Sequence, residues 1–378
     1  MTSILQEISQ VRKQEDMVID RTNTNRYRVV ICESDGSKSA YCFGVPIYNN
    51  RTRRAIDLKF YKSPCSDDIY SVGSNAKITY SDKIQMENNE GCCMISLPGC
   101  VRMNSDKELI CGNGRIYNTA NGFAYQLPYT DSLSAEFELE VRKPLVKVRA
   151  NDKCFALMSE MFRPFISLSC IGTIDENGEI IAPAKICYRK ITDKKFKFTV
   201  LPCSSNGKYV LFEANIYEPK LIQDTTVDSK HPDVNNAYGG MSFIGSTKEY
   251  GEQWLYSRID LGKISDLADK KIIRAIMHFP RLNNCDNEVA VFNLSTRFCS
   301  FGSTWINKVK AASPILSSVS RESYADVDLT SIITDRQGKL CKNEGIVLKP
   351  QNKDSAFKVI CTGDCYMYPS ILEINYKN

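Results

Sequence analysis

The sequence predicts a mainly β protein, built of two or three antiparallel β-sandwich or jelly-roll domains with a short N-terminal helix. Three observations carry this expectation. From residue 25 onward apolar residues recur at a spacing of two, the period of a half-buried strand, as in "RYRVVICE", "AKITYSDKI", "AEFELEVRKPLVKVRA", "AKICYRKI" and "FKFTVLP". Turn-forming pairs punctuate these runs: Asp35-Gly36, Asn113-Gly114, Asn121-Gly122, Asn177-Gly178 and Asn206-Gly207. Helical spacing is confined to the first twenty residues and to "KCFALMSEMF" at 153–162.

In chain order, residues 1–20 read as an amphipathic helix. Ile4, Ile8 and Val11 form a stripe beside Leu5, polar residues lie elsewhere, and Thr2 or Ser3 can cap the start. Such a helix either docks on its own domain or offers the stripe to another subunit, so Ile4, Ile8 and Val11 are candidate assembly-interface residues. Residues 27–43 read as a hairpin. Tyr27, Val29 and Ile31 alternate with Arg28 and Val30, the turn is Ser34–Ser37, and the chain returns through Tyr41 and Phe43. "RKPLVKVRAND" around 142–152 reads as a link between β units. The stretch at 218–240, rich in Pro, Asp, Asn and Gly, reads as the opening loop of a further domain. The expected division is a helix at 1–20, a β domain at 21–145, a second β unit at 146–220 that could be continuous with the first, and a third β domain at 221–378.

Composition excludes several classes. A length of 378 residues suits two or three domains, and 43% hydrophobic with 25% charged residues is ordinary for a folded chain. Forty-nine Lys and Arg against 44 Asp and Glu leave a net charge of only +5, which argues against a nucleic-acid-gripping protein. No run reaches the roughly 18–20 apolar residues of a membrane span. Glu7, Arg12, Lys13, Glu15 and Asp16 interrupt any secretory h-region. The expectation is therefore assembly in a bacterial cytoplasm with display on a particle or virion, or, alternatively, secretion of a chain whose signal has been trimmed.

Two histidines, His231 and His278, restrict imidazole chemistry and rule out a His-rich metal site within one chain. The sixteen cysteines show no C-x-x-C spacing, and many sit inside apolar strand-like runs. They are expected to be mostly reduced core thiols, with Cys92-Cys93 and Cys361/Cys365 as the exceptions that their proximity suggests.

Residues 221–378 resemble the DNRLRE-type β-sandwich domain, a jelly-roll module related to some carbohydrate-binding modules. "QDTTVDSKHPDVNNAYGG", ending at Tyr238, Gly239 and Gly240, is similar to its opening strand and Asn/Tyr/Gly loop. "WLYSRIDLGKI" carries the Arg-apolar-Asp-Leu ending at Arg258, Ile259, Asp260 and Leu261. "FGSTWINK" resembles the Thr-Trp-x-Asn segment through Thr304, Trp305 and Asn307, "ADVDLTSII" the strand before a short helix, and "NEGIVLKP" and "YPSILEINY" the closing strands. The usual Trp after that helix and the string that names the family are absent. The resemblance implies a noncatalytic module of a cell surface, of secreted polysaccharide-degrading proteins, or of phage-type structural proteins. A few related modules bind acidic glycans.

The candidate chemistry is sparse. Trp254, Tyr256 and Arg258, spaced by two, present one strand face that could bind a ligand such as a sugar, while Trp305 is expected to fill the core. Asp224, Asp228 and Asp233, with Asn235 and Asn236, form an oxygen-rich stretch that could hold a structural calcium ion; no other cofactor is implied. Asp175, Glu176 and Glu179 flank Asn177-Gly178 and read as a hairpin tip, not a carboxylate pair. Asp326 and Asp328 share a strand face and could serve as a metal or acid site, though an exposed edge or a cap for the turn at "TSII" is the commoner reading, and His278 reads as a core or interface histidine. The basic run Arg51, Arg53, Arg54, Lys59 and Lys62 reads as a solvated turn.

The leading expectation is a noncatalytic structural protein of a bacterial or phage-type assembly (a tail, fibre or decoration component), partnered by other protein subunits or by copies of itself, without nucleic acid or a membrane span. The alternative is a secreted module that binds an acidic polysaccharide. A carbohydrate-active enzyme with its site in residues 25–220 is a third.

Overall fold

The computed structural model describes residues 4–48, 55–73, 75–89, 91–129, 135–142, 147–158, 164–218, 220–284, 288–315, 319–320, 323–351 and 357–377. The chain is mainly β, with antiparallel pairing between its strands and little helix. Among the described residues no helix is long and apolar enough to cross a membrane. The fold comprises two compact units, Tyr48–Glu218, and Thr2–Ile47 together with Pro219–Asn378.

The first unit has two sheets. One runs from Lys147–Ala150 through Cys154–Met158, Pro164–Ile174, Tyr209–Ile216, Gly122–Pro128, Gly114–Asn118 and Leu109–Cys111 to Val101–Met103, with Ile180–Ala182 added on Pro164–Ile174. The other runs from Ala184–Thr192 through Lys195–Pro202, Ala135–Val141 and Gly91–Ser96 to Tyr61–Lys62. Alternation explains the layering. In "KFKFTVLP", Phe196, Phe198 and Val200 turn inward, while Lys195 and Lys197 stay outside and pair with Glu138 and Glu136 across the strand at 2.8 and 2.7 Å. The inner faces meet where Phe137 of one sheet stacks on Phe212 of the other, centroids 4.8 Å apart. Gly122, from the Asn121-Gly122 pair, permits the central pairing, because a Cβ there would lie 1.9 Å from the Ala214 carbonyl oxygen.

The second unit repeats the two-sheet plan. One sheet runs Val18–Ile19, Arg28–Cys32, Lys38–Phe43, Ile371–Lys377, Lys271–Pro280, Tyr324–Asp328, Val319–Ser320. The other runs Ala311–Pro314, Val289–Leu294, Ile346–Pro350, Gly251–Ile259, Met241–Thr247, Lys358–Cys361, with Ile222–Asp228 on Gly251–Ile259. Val30, Met277, Val327 and Ile374 from the first share a core with Leu255, Ile259, Val291 and Leu348 from the second.

Four expectations are corrected here. The hairpin Arg28–Phe43 forms as read, with Gly36 at φ 79° in its turn. Yet it belongs with the C-terminal unit, because Lys38–Phe43 pairs with the final strand Ile371–Lys377. The boundaries at 20/21 and 145/146 are therefore not unit boundaries, whereas the break near 220 is one. Second, Cys154–Met158 is a strand and not a helix; it is buried on both faces, so its apolar run carries no alternation. Residues 159–162 lie outside the described residues. Third, the N-terminal helix, described over Ile4–Arg12, ends at Arg12 and does not run on to residue 20. Its Ile8 and Val11 are 0% and 3% exposed in the chain. Glu7 accepts a hydrogen bond from Tyr324, and the Arg12 Nη2 lies 3.0 Å from Glu33 Oε2. These contacts dock the stripe on the chain's own body, which removes Ile8 and Val11 as subunit contacts; the Ile4 side chain lies outside the described residues. Fourth, Cys92, Cys93, Cys361 and Cys365 are all buried, and none of them forms a disulfide among the described residues.

The other described cysteines form no disulfide among the described residues either. Burial pushes the Cys42 thiol up to about 12 and that of Cys111 to about 11, far from the thiolate that reagents attack. A disulfide-exchange dye at neutral pH is expected to label exposed Cys32, Cys65, Cys100, Cys187 and Cys299 rapidly, and Cys42, Cys93, Cys111 and Cys170 only in denaturant. Rapid labelling of those four in the folded protein, mapped by peptide mass, would contradict the packing described.

Candidate functional site

Both tryptophans of the chain meet on the surface of the second unit. Trp254 stands on Gly251–Ile259, and Trp305 lies in the segment that crosses the same sheet face, with ring centroids 4.9 Å apart and planes at 55°. Each is half-buried. A local turn places Trp305: Thr304 N donates to Asn307 Oδ1 at 2.7 Å, and Asn307 Nδ2 donates to the Gly302 carbonyl at 3.0 Å. Lys308 folds back, its Nζ donating to the Trp305 carbonyl at 2.8 Å and lying 3.9 Å from the Trp305 ring centroid.

A second lysine arrives from the neighbouring strand Ile346–Pro350. Pairing of Leu255 with Leu348 brings Lys349 beside Trp254, with its Nζ 4.0 Å from the Trp254 centroid and 5.0 Å from that of Phe292. Burial pushes both lysine pKa values down, opposed by the nearby Glu252 carboxylate. Glu252 also accepts a hydrogen bond from Trp254 Nε1 at 2.8 Å. Among the described residues neither lysine forms an ion pair. The result is two ammonium groups held on three aromatic rings, with partial loss of water and one carboxylate already engaged.

Only part of the expected face is available. Trp254, Tyr256 and Arg258 do share one side of their strand, but Tyr256 is buried with Val227, Leu294, Phe298 and Val347 and donates its hydroxyl to the Val309 carbonyl at 2.8 Å. Arg258 is buried and bonds Gln223. The segment through Phe298 and Val309 covers them, so Trp254 alone of the three reaches solvent. Trp305, assigned to the core by sequence, is instead its surface partner. Lys308, Lys349, Glu252 and Phe292 were not singled out at all. The available signals were the Trp-x-x-Lys spacing at 305–308 and the outward position of Lys349 in "IVLKP".

The three aspartates do not gather into one cluster of oxygen ligands. Four residues along one strand separate Asp224 from Asp228 by about 13 Å. Asp228 is committed to His231, at 2.9 Å from its Nδ1, and to Asn236 Nδ2 at 3.3 Å, while Asp233 points to solvent. Among the described residues no three Asp, Glu, His or Cys side chains gather as metal ligands.

His278 lies within a buried charged row. Its Nδ1 is 2.7 Å from Asp326 Oδ1, directly opposite on the next strand, and its Nε2 is 3.0 Å from Glu373 Oε2. Asp328 takes the other role considered for this pair, accepting from Thr330 N at 2.8 Å where the helix Thr330–Ile333 begins. Asp175 accepts from Asn177 N and Glu179 N, both at 2.9 Å, which makes it a turn residue. Lys59 pairs with Asp106 at 2.7 Å and Lys62 is exposed, while Arg51, Arg53 and Arg54 lie outside the described residues.

Fold and site together define a mainly β protein with an aromatic–cation patch on one sheet face. No protein-family model matches the sequence, and no curated protein matches it.

Proposed function

We propose that this is a noncatalytic interaction protein whose Trp254–Trp305 patch binds an acidic glycan. The observation that carries the reading is the pair of partly desolvated lysine ammonium groups, 3.9 and 4.0 Å from indole centroids at a half-exposed surface. An indole face offsets some of the lost hydration of a cation, and an arriving carboxylate or sulfate would complete the compensation. The remaining indole surface suits the C–H faces of a sugar ring, with a polar edge beside it. A neutral glycan would gain the stacking without the charge pairing. The motif order of residues 221–378 supports the same reading, since modules related to the DNRLRE type include binders of acidic glycans.

The chain holds only these two tryptophans, so intrinsic tryptophan fluorescence reports this patch and nothing else. Titration with polygalacturonate or heparin is expected to change the emission, and dextran is not. Lys308→Gln with Lys349→Gln is expected to weaken binding by at least about tenfold, the equivalent of about 1.4 kcal/mol. Affinity should also fall as pH rises into the lowered lysine range, because binding requires the protonated amines. Absence of any spectral change or electrophoretic retardation with acidic polysaccharides would remove the proposal.

A second reading, a subunit of a larger particle, draws on Ile306 and Phe301, which are 72% and 45% exposed in the same crossing segment. It predicts a concentration-dependent rise in mass by light scattering that Ile306→Ser abolishes.

A further inference from the structure

Deep in the second unit, three ionisable side chains meet away from the tryptophan patch. Lys220, just before the strand Ile222–Asp228, places its Nζ against Asp364 Oδ1, from the loop between Lys358–Cys361 and Ile371–Lys377. Their side chains are 5% and 9% exposed. Asp224, 3% exposed, stands beside them on the strand. Its Oδ2 accepts from Gly363 N, while its Oδ1 has no hydrogen-bond partner among the described residues. Gly363 makes this approach possible, since a Cβ there would lie 2.8 Å from Asp224 Oδ2 and equally close to Ile222. The ring of Tyr366 closes the site, its centroid 4.6 Å from the Lys220 Nζ. Asp364 is held from its own backbone, its N donating to Thr362 Oγ1 at 3.0 Å, and that hydroxyl donates to the Gly239 carbonyl at 2.8 Å.

We propose that Lys220 and Asp364 join through an intramolecular isopeptide bond, with Asp224 as the residue that relays the protons. The argument begins with the medium. Water no longer stabilises the separated charges in a dry interior, so transfer of a proton from ammonium to carboxylate, giving amine and carboxylic acid, is far less costly than in solution. Burial, and then the neighbouring Asp364 charge, keeps the Asp224 carboxyl protonated well above the ordinary carboxylate range. Asp224 is thus a proton donor beside the pair, and proton transfer within the pair would supply the nitrogen lone pair that attack needs.

In the reaction the Lys220 Nζ attacks Asp364 Cγ while Asp224 gives its proton to an Asp364 oxygen. The N–C bond forms, the C–O bond breaks, and the oxygen leaves as water. Asp224 recovers its proton from the nitrogen. One ammonium and one carboxylate become one amide and one water, with no oxidant, reductant or activating group required. Asp224 returns to its starting state. The bond would close a loop between positions 144 residues apart and constrain the unfolded chain as a disulfide does, in a unit where the described residues form no disulfide.

The test is the intact mass of the purified full-length chain under denaturing conditions. The expected wild-type mass is one water below that of the sequence, and a tryptic digest is expected to contain a branched peptide linking Lys220 to Asp364. Lys220→Arg and Asp364→Ala should each restore the full mass. Asp224→Asn keeps both reacting groups and should remain uncrosslinked. A cooperatively folded wild-type protein of full sequence mass overturns the proposal, as does a water loss that persists in Lys220→Arg, which would mark a succinimide at an aspartate. Undiminished cross-linking in Asp224→Asn overturns the relay.

Discussion

Replacing His278 with leucine is expected to destabilise the second unit by about 3–5 kcal/mol, the typical cost of removing one partner from a buried charged group. The side chain is 1% exposed, between Asp326 on one neighbouring strand and Glu373 on the other. Burial alone would push its pKa down, but the hydrogen bonds that the ring donates to Asp326 and Glu373, with the charges of those carboxylates, outweigh that and raise it. Leucine would keep the packing volume and leave both carboxylates without the group that they hold. The pH dependence follows from the direction of the shift. A histidine whose folded pKa lies above its unfolded value contributes stability that is fully present below the unfolded pKa. The contribution fades as pH rises from about 6.5, the ordinary histidine value, through the raised one. Urea unfolding at pH 6 and pH 9 should therefore show a wild-type advantage over His278→Leu that is largest at the lower pH. The carboxylates of Glu33 and Asp266, lowered first by hydrogen bonds from Arg12 and Arg28 respectively, act in a separate acidic window, where stability is lost as pH falls. A variant within about 1 kcal/mol of wild type, with an unchanged slope above pH 6, would show that His278 is uncharged filler.

What the sequence made legible was local. Alternation and turn chemistry gave the β class and the hairpin Arg28–Phe43, because side chains two apart and a glycine at positive φ leave a signature within a few residues. The hairpin's membership in the C-terminal unit rests on pairing Lys38–Phe43 with Ile371–Lys377, a contact between the two ends of the chain that no short pattern encodes. Cys154–Met158 was unreadable for a different reason: burial on both faces erases the alternation that separates strand from helix. At the site, alternation correctly put Trp254, Tyr256 and Arg258 on one face. It could not say that the segment through Val309 lies over that face, so Tyr256 and Arg258 are covered and Trp305 surfaces. The aspartates at 224, 228 and 233 looked like a cluster only while their conformation was unspecified; an extended strand separates Asp224 from Asp228, and Asp233 is exposed in the turn that follows.

Phe212→Ala carries the other large expected effect, a loss of about 3–5 kcal/mol from the first unit. Phe212 is fully buried on Tyr209–Ile216, a strand hydrogen-bonded on both sides, to Gly122–Pro128 and to Pro164–Ile174. Its ring lies at 5° to that of Phe137 from the opposite sheet and meets the edge of Tyr125, 5.6 Å away. Backbone ladders on both sides prevent the strand from sinking into the space that truncation would open, so the cavity term should be near its maximum. Phe212→Leu separates the contributions: it refills most of the volume and removes the ring contacts, which together account for about 1 kcal/mol. Native-state hydrogen exchange should show the loss in Gly122–Pro128 and Ala135–Val141, the strands that carry Tyr125 and Phe137. If Phe212→Ala cost less than Phe212→Leu, or exchange rose only at the edge strands Val101–Met103 and Tyr61–Lys62, the two sheets could not be facing one another through this ring.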